Sequence, residues 1–200
     1  MSAQLVNSSE LATRIVEAAI AITLAETWSE LTMGRLATAV GVSRQTIYNE
    51  VGSKPQLAEL IVLTEAAKFL DVVHASFDAN EPDYESALLQ AIQQVLQIGA
   101  HNALLRSIAG GVGMTGIVGS PPGGQSALLP YLTTQSHGLL TTSTAVVATR
   151  LHGCGIALDR ARLVAEFIVR LVLSYLMQPG DSSEHSARLI VAMVTPALKT

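Results

Sequence analysis

Five hydrogen-bonding side chains occupy six consecutive positions near the start of the chain: Arg44, Gln45, Thr46, Tyr48 and Asn49, interrupted by Ile47. In a helix, Ile47 turns to a core and the opposite face keeps groups that gain little from facing water alone. Arginine pairs with a guanine edge, glutamine and asparagine with an adenine edge, and threonine with either. The chemistry on offer is readout of bases by a helix lying in the major groove.

Such a helix needs a second one to hold it. Two short helices that cross steeply require a small residue at their close approach, a turn glycine, and apolar anchors on both. Ala37, Gly41 and the anchors Leu36, Val40 and Ile47 meet these needs, which predicts a helix-turn-helix with helices over about 32–40 and 43–51. Ser43 stands where the second helix needs an N-cap and is read as one.

With these residues in place, the segment from about 9 to 60 resembles the N-terminal part of the tetracycline-repressor (TetR) family. The likeness is carried by Thr32, the Leu36-Ala37 pair, the Gly41-Val42-Ser43 turn, Thr46-Ile47-Tyr48, and Ser53-Lys54 ahead of the next helix. It implies three N-terminal helices followed by a ligand-binding and dimerising helical domain. It also implies that Thr32, Tyr48 and Lys54 hold phosphates while Arg44, Gln45, Thr46 and Asn49 reach bases. Residue types alone leave Thr32 open as a cap and Tyr48 as a packing aromatic.

The rest of the chain reads as helix throughout. Leu11, Ile15, Ala18, Ala19 and Ile22 share one helical face, and Asn7 with Glu10 has the spacing of a capping box. Gly52 ends a helix, and Ser53, Pro55 and Gln56 restart one that runs to near Asn80. Further helices are expected over Tyr84 to Gly99, Gln125 to His152, Asp159 to Met177 and Ser183 to Leu198, with 110–124 a glycine-rich loop or broken helix. Arg162, Glu166 and Arg170 form one charged stripe on an otherwise apolar helix, which predicts neighbours on two sides. The family resemblance implies a four-helix dimer interface there, made with Leu189, Ile190, Met193 and Ala197 of the last helix.

Charge by itself speaks against nucleic acid. The net charge is −4, and residues 1–60 carry four cations against six carboxylates, 4 − 6 = −2. Placement of those few cations has to carry the argument. Gly111-Val112-Gly113-Met114-Thr115-Gly116 matches a dinucleotide-binding pattern, but it lacks the preceding strand and the later acidic residue that the chemistry needs. No Asp or Glu occurs from Ser86 to Leu158, and His101, His137 and His152 are too far apart for a metal motif, so hydrolytic or metal chemistry is disfavoured. That interval suits an apolar pocket instead, with Leu96, Ile108, Met114, Tyr131 and Phe167 as candidate lining. Cys154, the single cysteine, is expected to be a buried structural thiol.

No basic cluster precedes an apolar run at the N-terminus, and Glu166 and Arg170 interrupt the most apolar helix, so a cytoplasmic protein without a membrane span is expected. The reading is an all-α regulator: residues 1–53 a helix-turn-helix DNA-binding domain, residues 54–200 a ligand-binding and dimerisation domain. Its expected partners are an operator duplex, a lipophilic small molecule and a second copy of the chain, with no cofactor, no metal and no enzymatic activity. The alternative is a helical enzyme or lipid carrier with a vestigial helix-turn-helix.

Overall fold

The structure, a computed structural model, describes residues 10–26, 28–102, 104 and 137–199. Among these it has eight helices and no strand, the all-α class that the apolar spacing predicts. They are α1 (Glu10–Ala25), α2 (Met33–Val40), α3 (Arg44–Val51), α4 (Lys54–Asn80), α5 (Tyr84–His101), α6 (His137–Gly153), α7 (Leu158–Met177) and α8 (Ser183–Lys199). Asn7, the first part of the helix expected from Gln125, and the glycine-rich 110–124 segment lie outside the described residues. The chain divides into two compact units whose described residues run up to Thr64 and from Glu65 onward, so the division falls inside α4.

In the first unit Ile15 and Ala19 of α1, Leu36 and Val40 of α2, Ile47 and Val51 of α3, and Leu57 of α4 are all buried. Each of the isoleucine, leucine and valine side chains among them contributes about 1.5–3 kcal/mol on leaving water. Of the α1 face predicted from Leu11 to Ile22, Ile15 and Ala19 are buried and Leu11, Ala18 and Ile22 half-buried, while Ala12, Val16 and Thr23 complete the buried side; α1 packs on α2 and α3. Arg14 adds a polar tie by donating from Nη2 to the Val40 carbonyl at 3.1 Å, where a cation complements the C-terminal end of α2.

The junction between α3 and α4 depends on one glycine. Gly52 has φ 71° and ψ −142°, a region that essentially only glycine enters. A Cβ there would also meet Gln56 Oε1 at 2.3 Å. That oxygen is committed: it accepts from the Ser53 backbone N–H at 2.8 Å and from the Ser53 hydroxyl at 2.9 Å, the Gln56 half of the capping box predicted from sequence. Gly52→Ala is therefore expected to cost about 1–3 kcal/mol of stability. Thermal unfolding checks this, and a Tm equal to the parent's would show that the junction tolerates a side chain.

In the second unit α7 packs against α6 and α8, and α8 packs against α5. The small residues Ala161 and Ala165 lie on the buried face of α7 with Val164 and Ile168, so neighbouring backbones approach closely there. Leu88, Ile92, Val95 and Leu96 make the α5 face of the same core. Asp83 starts α5 by accepting from the Glu85 and Ser86 backbone N–H groups, both at 3.1 Å. Arg150 of α6 reaches α4, donating to His74 Nδ1 at 2.9 Å and to Asp78 at 2.6 Å.

Candidate nucleic-acid interface

Three local devices set the ends of α2 and α3, which pack against each other. Thr32 caps α2, its hydroxyl accepting from the Arg35 N–H at 3.2 Å. Gly41 ends α2 at φ 80° with its N–H on the Ala37 carbonyl. Ser43 caps α3 by accepting from the Thr46 N–H at 3.0 Å, so its role is the cap read from the sequence.

The exposed face of α3 then carries Arg44, Gln45, Tyr48 and Asn49, with Thr46 half-buried at its edge. These side chains are partly braced. Gln45 Nε2 donates to Asn49 Oδ1 at 2.9 Å, one turn along the same helix, and Thr46 Oγ1 lies 2.8 Å from Ser43 Oγ. A Cβ built on Gly34 would have Arg44 Cδ and Nε at 3.7 Å and Thr32 Oγ1 at 3.9 Å. The stem of Arg44 thus crosses α2 where α2 has no side chain, which brings Arg44 and Thr32 to the same spot. Sequence reasoning passed over Gly34. The signal was there, since a glycine inside a helix costs about 1 kcal/mol against alanine and needs a reason.

The cations of this unit have separate tasks. Arg35 forms an exposed ion pair with Glu26, Nη1 and Nη2 each donating to one carboxylate oxygen, and this hydrogen bonding holds the Glu26 carboxyl below the usual carboxylate range. Lys54 is half-buried. Its ammonium donates to the carbonyls of Leu31 and Ser29, and it lies 5.1 Å from the centroid of the Trp28 ring. Of the seven predicted DNA contacts, six gather at α3 and the start of α2, and Lys54, half-buried, reaches back to the turn before α2.

A second surface lies on α7 and α8. Leu163 is 74% exposed, Met193 71% and Phe167 57%, while Leu189 and Ala197 are exposed as well. Ile190 is buried in the unit's own core. Of the four dimer positions implied by resemblance, three lie on the open face of α8 and Ile190 faces the other way. Phe167, expected to line a pocket, stands at the surface; Leu96 is in the core; Ile108, Met114 and Tyr131 lie outside the described residues. An open groove of about 310 Å³ between α5 and α8 is lined by Leu89, Val191, Ala192, Thr195 and Pro196, with Glu85 and Arg188, and includes neither Leu96 nor Phe167.

Among the described residues, no group of three or more His, Cys, Asp or Glu is placed to hold a metal, and no helix is long and apolar enough to cross a membrane. Cys154 is half-buried, and burial pushes its thiol up from the ordinary value.

A helix-turn-helix with an exposed hydrogen-bonding face, followed in the same chain by a larger helical unit, defines a helix-turn-helix transcriptional regulator. Residues 83–196 match the family model of the bacterial tetracyclin repressor C-terminal domain. The chain is 32% identical over 184 residues to the HTH-type transcriptional regulator AlkX of Mycobacterium tuberculosis, covering 91% of this chain and 82% of that protein. It therefore belongs to the TetR family of transcriptional regulators.

Solved structures agree on the fold. The TetR family repressor AlkX from Dietzia sp. strain DQ12-45-1b, described as implicated in biodegradation of n-alkanes, superposes with TM-score 0.74 at 24% identity over 99% of this chain and 98% of that one. The repressor QsdR of R. erythropolis superposes with TM-score 0.60 at 14% identity over 95% of each chain.

Proposed function

We propose that the protein binds a palindromic DNA operator as a two-fold homodimer and is released from it by a lipophilic small molecule. The observation that carries this reading is the α3 face, where Arg44, Gln45, Tyr48 and Asn49 stand exposed and Gln45 is braced by Asn49. Arg44, Gln45, Thr46 and Asn49 reach base edges from the major groove, while Thr32 and Tyr48 hold phosphates and fix the register. Residues 1–53 supply the DNA-binding part, and residues 54–200 supply ligand binding and dimerisation through α7 and α8. The protein acts in the cytoplasm, where its duplex is. A two-fold dimer with one reading helix per subunit requires half-sites separated by about one helical turn, roughly 34–36 Å. Genome-wide capture of bound duplexes is expected to return such a palindrome; equal affinity for the captured and random duplexes overturns the reading.

The lipophilic effector is supported by the absence of any carboxylate from Ser86 to Leu158, and by the n-alkane context given for the Dietzia repressor. An apolar chain needs no ion partner, and buried Leu96 lies in the helical core that such a chain would enter. The effector releases DNA only by preferring the non-binding conformer, with coupling typically worth about 1–3 kcal/mol. Medium-length alkyl or acyl compounds are therefore expected to raise the Tm and to weaken operator affinity about tenfold together. If a broad set of lipophiles does neither, the effector half fails and the DNA half stands on the capture experiment.

A further inference from the structure

We propose that Gly34 is a specificity-determining residue: position 34 of α2 has to stay small so that the stem of Arg44 can lie across it and aim the guanidinium at one base pair. The proposal rests on the DNA-binding reading above for its consequence, while the fit of Arg44 against Gly34 is read from geometry.

Arg44 is the first residue of α3 and its side chain is exposed. A long exposed side chain samples many rotamers, and holding one of them for a planar, bidentate contact costs entropy. Its neighbour Gln45 is relieved of part of that cost by its bond to Asn49 on the same helix. Arg44 has a different support. Its Cδ and Nε both stand 3.7 Å from the place that a Cβ on Gly34 would take, and Thr32 Oγ1 is 3.9 Å from the same place. The stem thus rests on the first turn of α2, beside the residue that caps it, and a neighbouring helix sets its direction. Order present before DNA arrives does not have to be imposed on binding.

The same distances say how small the residue must be. A Cβ at 3.7 Å is in ordinary van der Waals contact, so alanine fits, and alanine is the better helix former. A γ carbon reaches about 1.5 Å further. Helical side chains lean toward the N-terminus of their helix, which from position 34 is toward Thr32, where the Arg44 stem lies. A leucine at this position and the Arg44 stem would compete for one volume, and the exposed arginine is the one that gives way. The backbone does not ask for glycine here, because Gly34 is not among the glycines of positive φ, as Gly41 and Gly52 are. What the missing side chain provides is room.

The test uses the full-length protein and the base preferences that it shows in selection from random duplexes. Arg44→Ala first identifies the base pair that Arg44 reads. Gly34→Leu is expected to lower preference at that same base pair about tenfold, to leave the base pair identified by Gln45→Ala as it was, and to add little in the double variant with Arg44→Ala. Gly34→Ala is expected to keep the parental preference. A further measurement needs no DNA. The Arg44 Nε–H signal in a nitrogen–proton NMR spectrum, identified by its loss in Arg44→Ala, should shift in Gly34→Leu and stay nearly in place in Gly34→Ala. Parental preference in Gly34→Leu overturns the proposal. Preference lost at the Gln45 base pair as well overturns it too, since that marks damage to the whole helix-turn-helix, and so does a full loss already in Gly34→Ala. If the parent selects no duplex at all, the DNA-binding reading fails by itself, and an Arg44 signal that does not move in Gly34→Leu separately removes the fit on which the proposal stands.

Discussion

Leu163→Glu combined with Met193→Glu is expected to yield a folded monomer whose operator affinity has fallen by at least about a hundredfold, the loss that follows when two linked reading heads become independent. Both residues are more than two-thirds exposed, so carboxylates there meet water in the monomer and leave its core untouched. The short connection from α7 to α8 sets their register. Phe167 lies ten residues before the end of α7 and Met193 ten residues after the start of α8, while Leu163 and Ala197 each lie fourteen residues from the same turn. Four apolar positions thus come level in two pairs on neighbouring antiparallel helices.

A contiguous apolar face with an aromatic and a methionine at its centre is the composition of an interface core, and a monomer has little reason to keep it in water. Two-fold symmetry allows the face to be covered by its own copy, giving four helices across the axis. Stripes next to it hold the ion pairs Glu166–Arg170 and Glu184–Arg188, at 2.8 and 2.6 Å, suited to a polar rim. Ile190→Glu is the contrasting control. That side chain is 2% exposed, so the same charge there should unfold the subunit rather than dissociate it. Sedimentation and operator titration decide the matter. A dimer that survives the double substitution, or a monomer that binds the operator as tightly as the parent, would sink the assignment of this face.

How legible this arrangement was in the sequence depends on the range of the interaction. Helix ends governed by local chemistry were readable: Ser43 caps α3, Gln56 reaches back to Ser53, and Gly52 stops α3. The polar face of α3 was readable too, because Ile47 divides the α3 sequence into a buried side and a polar side within two turns. Contacts across the chain were not. Lys54 meets carbonyls 23 and 25 residues earlier, and no spacing rule links a lysine to carbonyls, which every residue possesses. Phe167 failed for another reason. An apolar periodicity tells that two faces of α7 are apolar, but not which one meets a core of its own chain and which one stays exposed.

Arg44→Ala is expected to weaken operator binding by about 1–3 kcal/mol and to relax preference at one base pair, since a bidentate arginine-guanine contact is worth that much discrimination. Binding to random duplex should change far less. Neighbouring Gln45 sharpens the expectation because its amide is already engaged. One Nε2 hydrogen is donated to Asn49 Oδ1, which leaves the other hydrogen and Oε1 for the two groups on an adenine edge. With Asn49 holding Gln45 and standing beside it on the same face, the two residues are expected to read one base pair together. Asn49→Ala and Gln45→Ala should relax preference at the same position, and the double variant should lose little more than Gln45→Ala alone, giving a coupling energy of about 0.5–3 kcal/mol. If Asn49 instead reads a base of its own, preference is lost at a second position and the two costs add. A selection experiment run on the three variants separates these outcomes, and additive losses at two positions would show that the amide bridge on α3 is incidental to recognition.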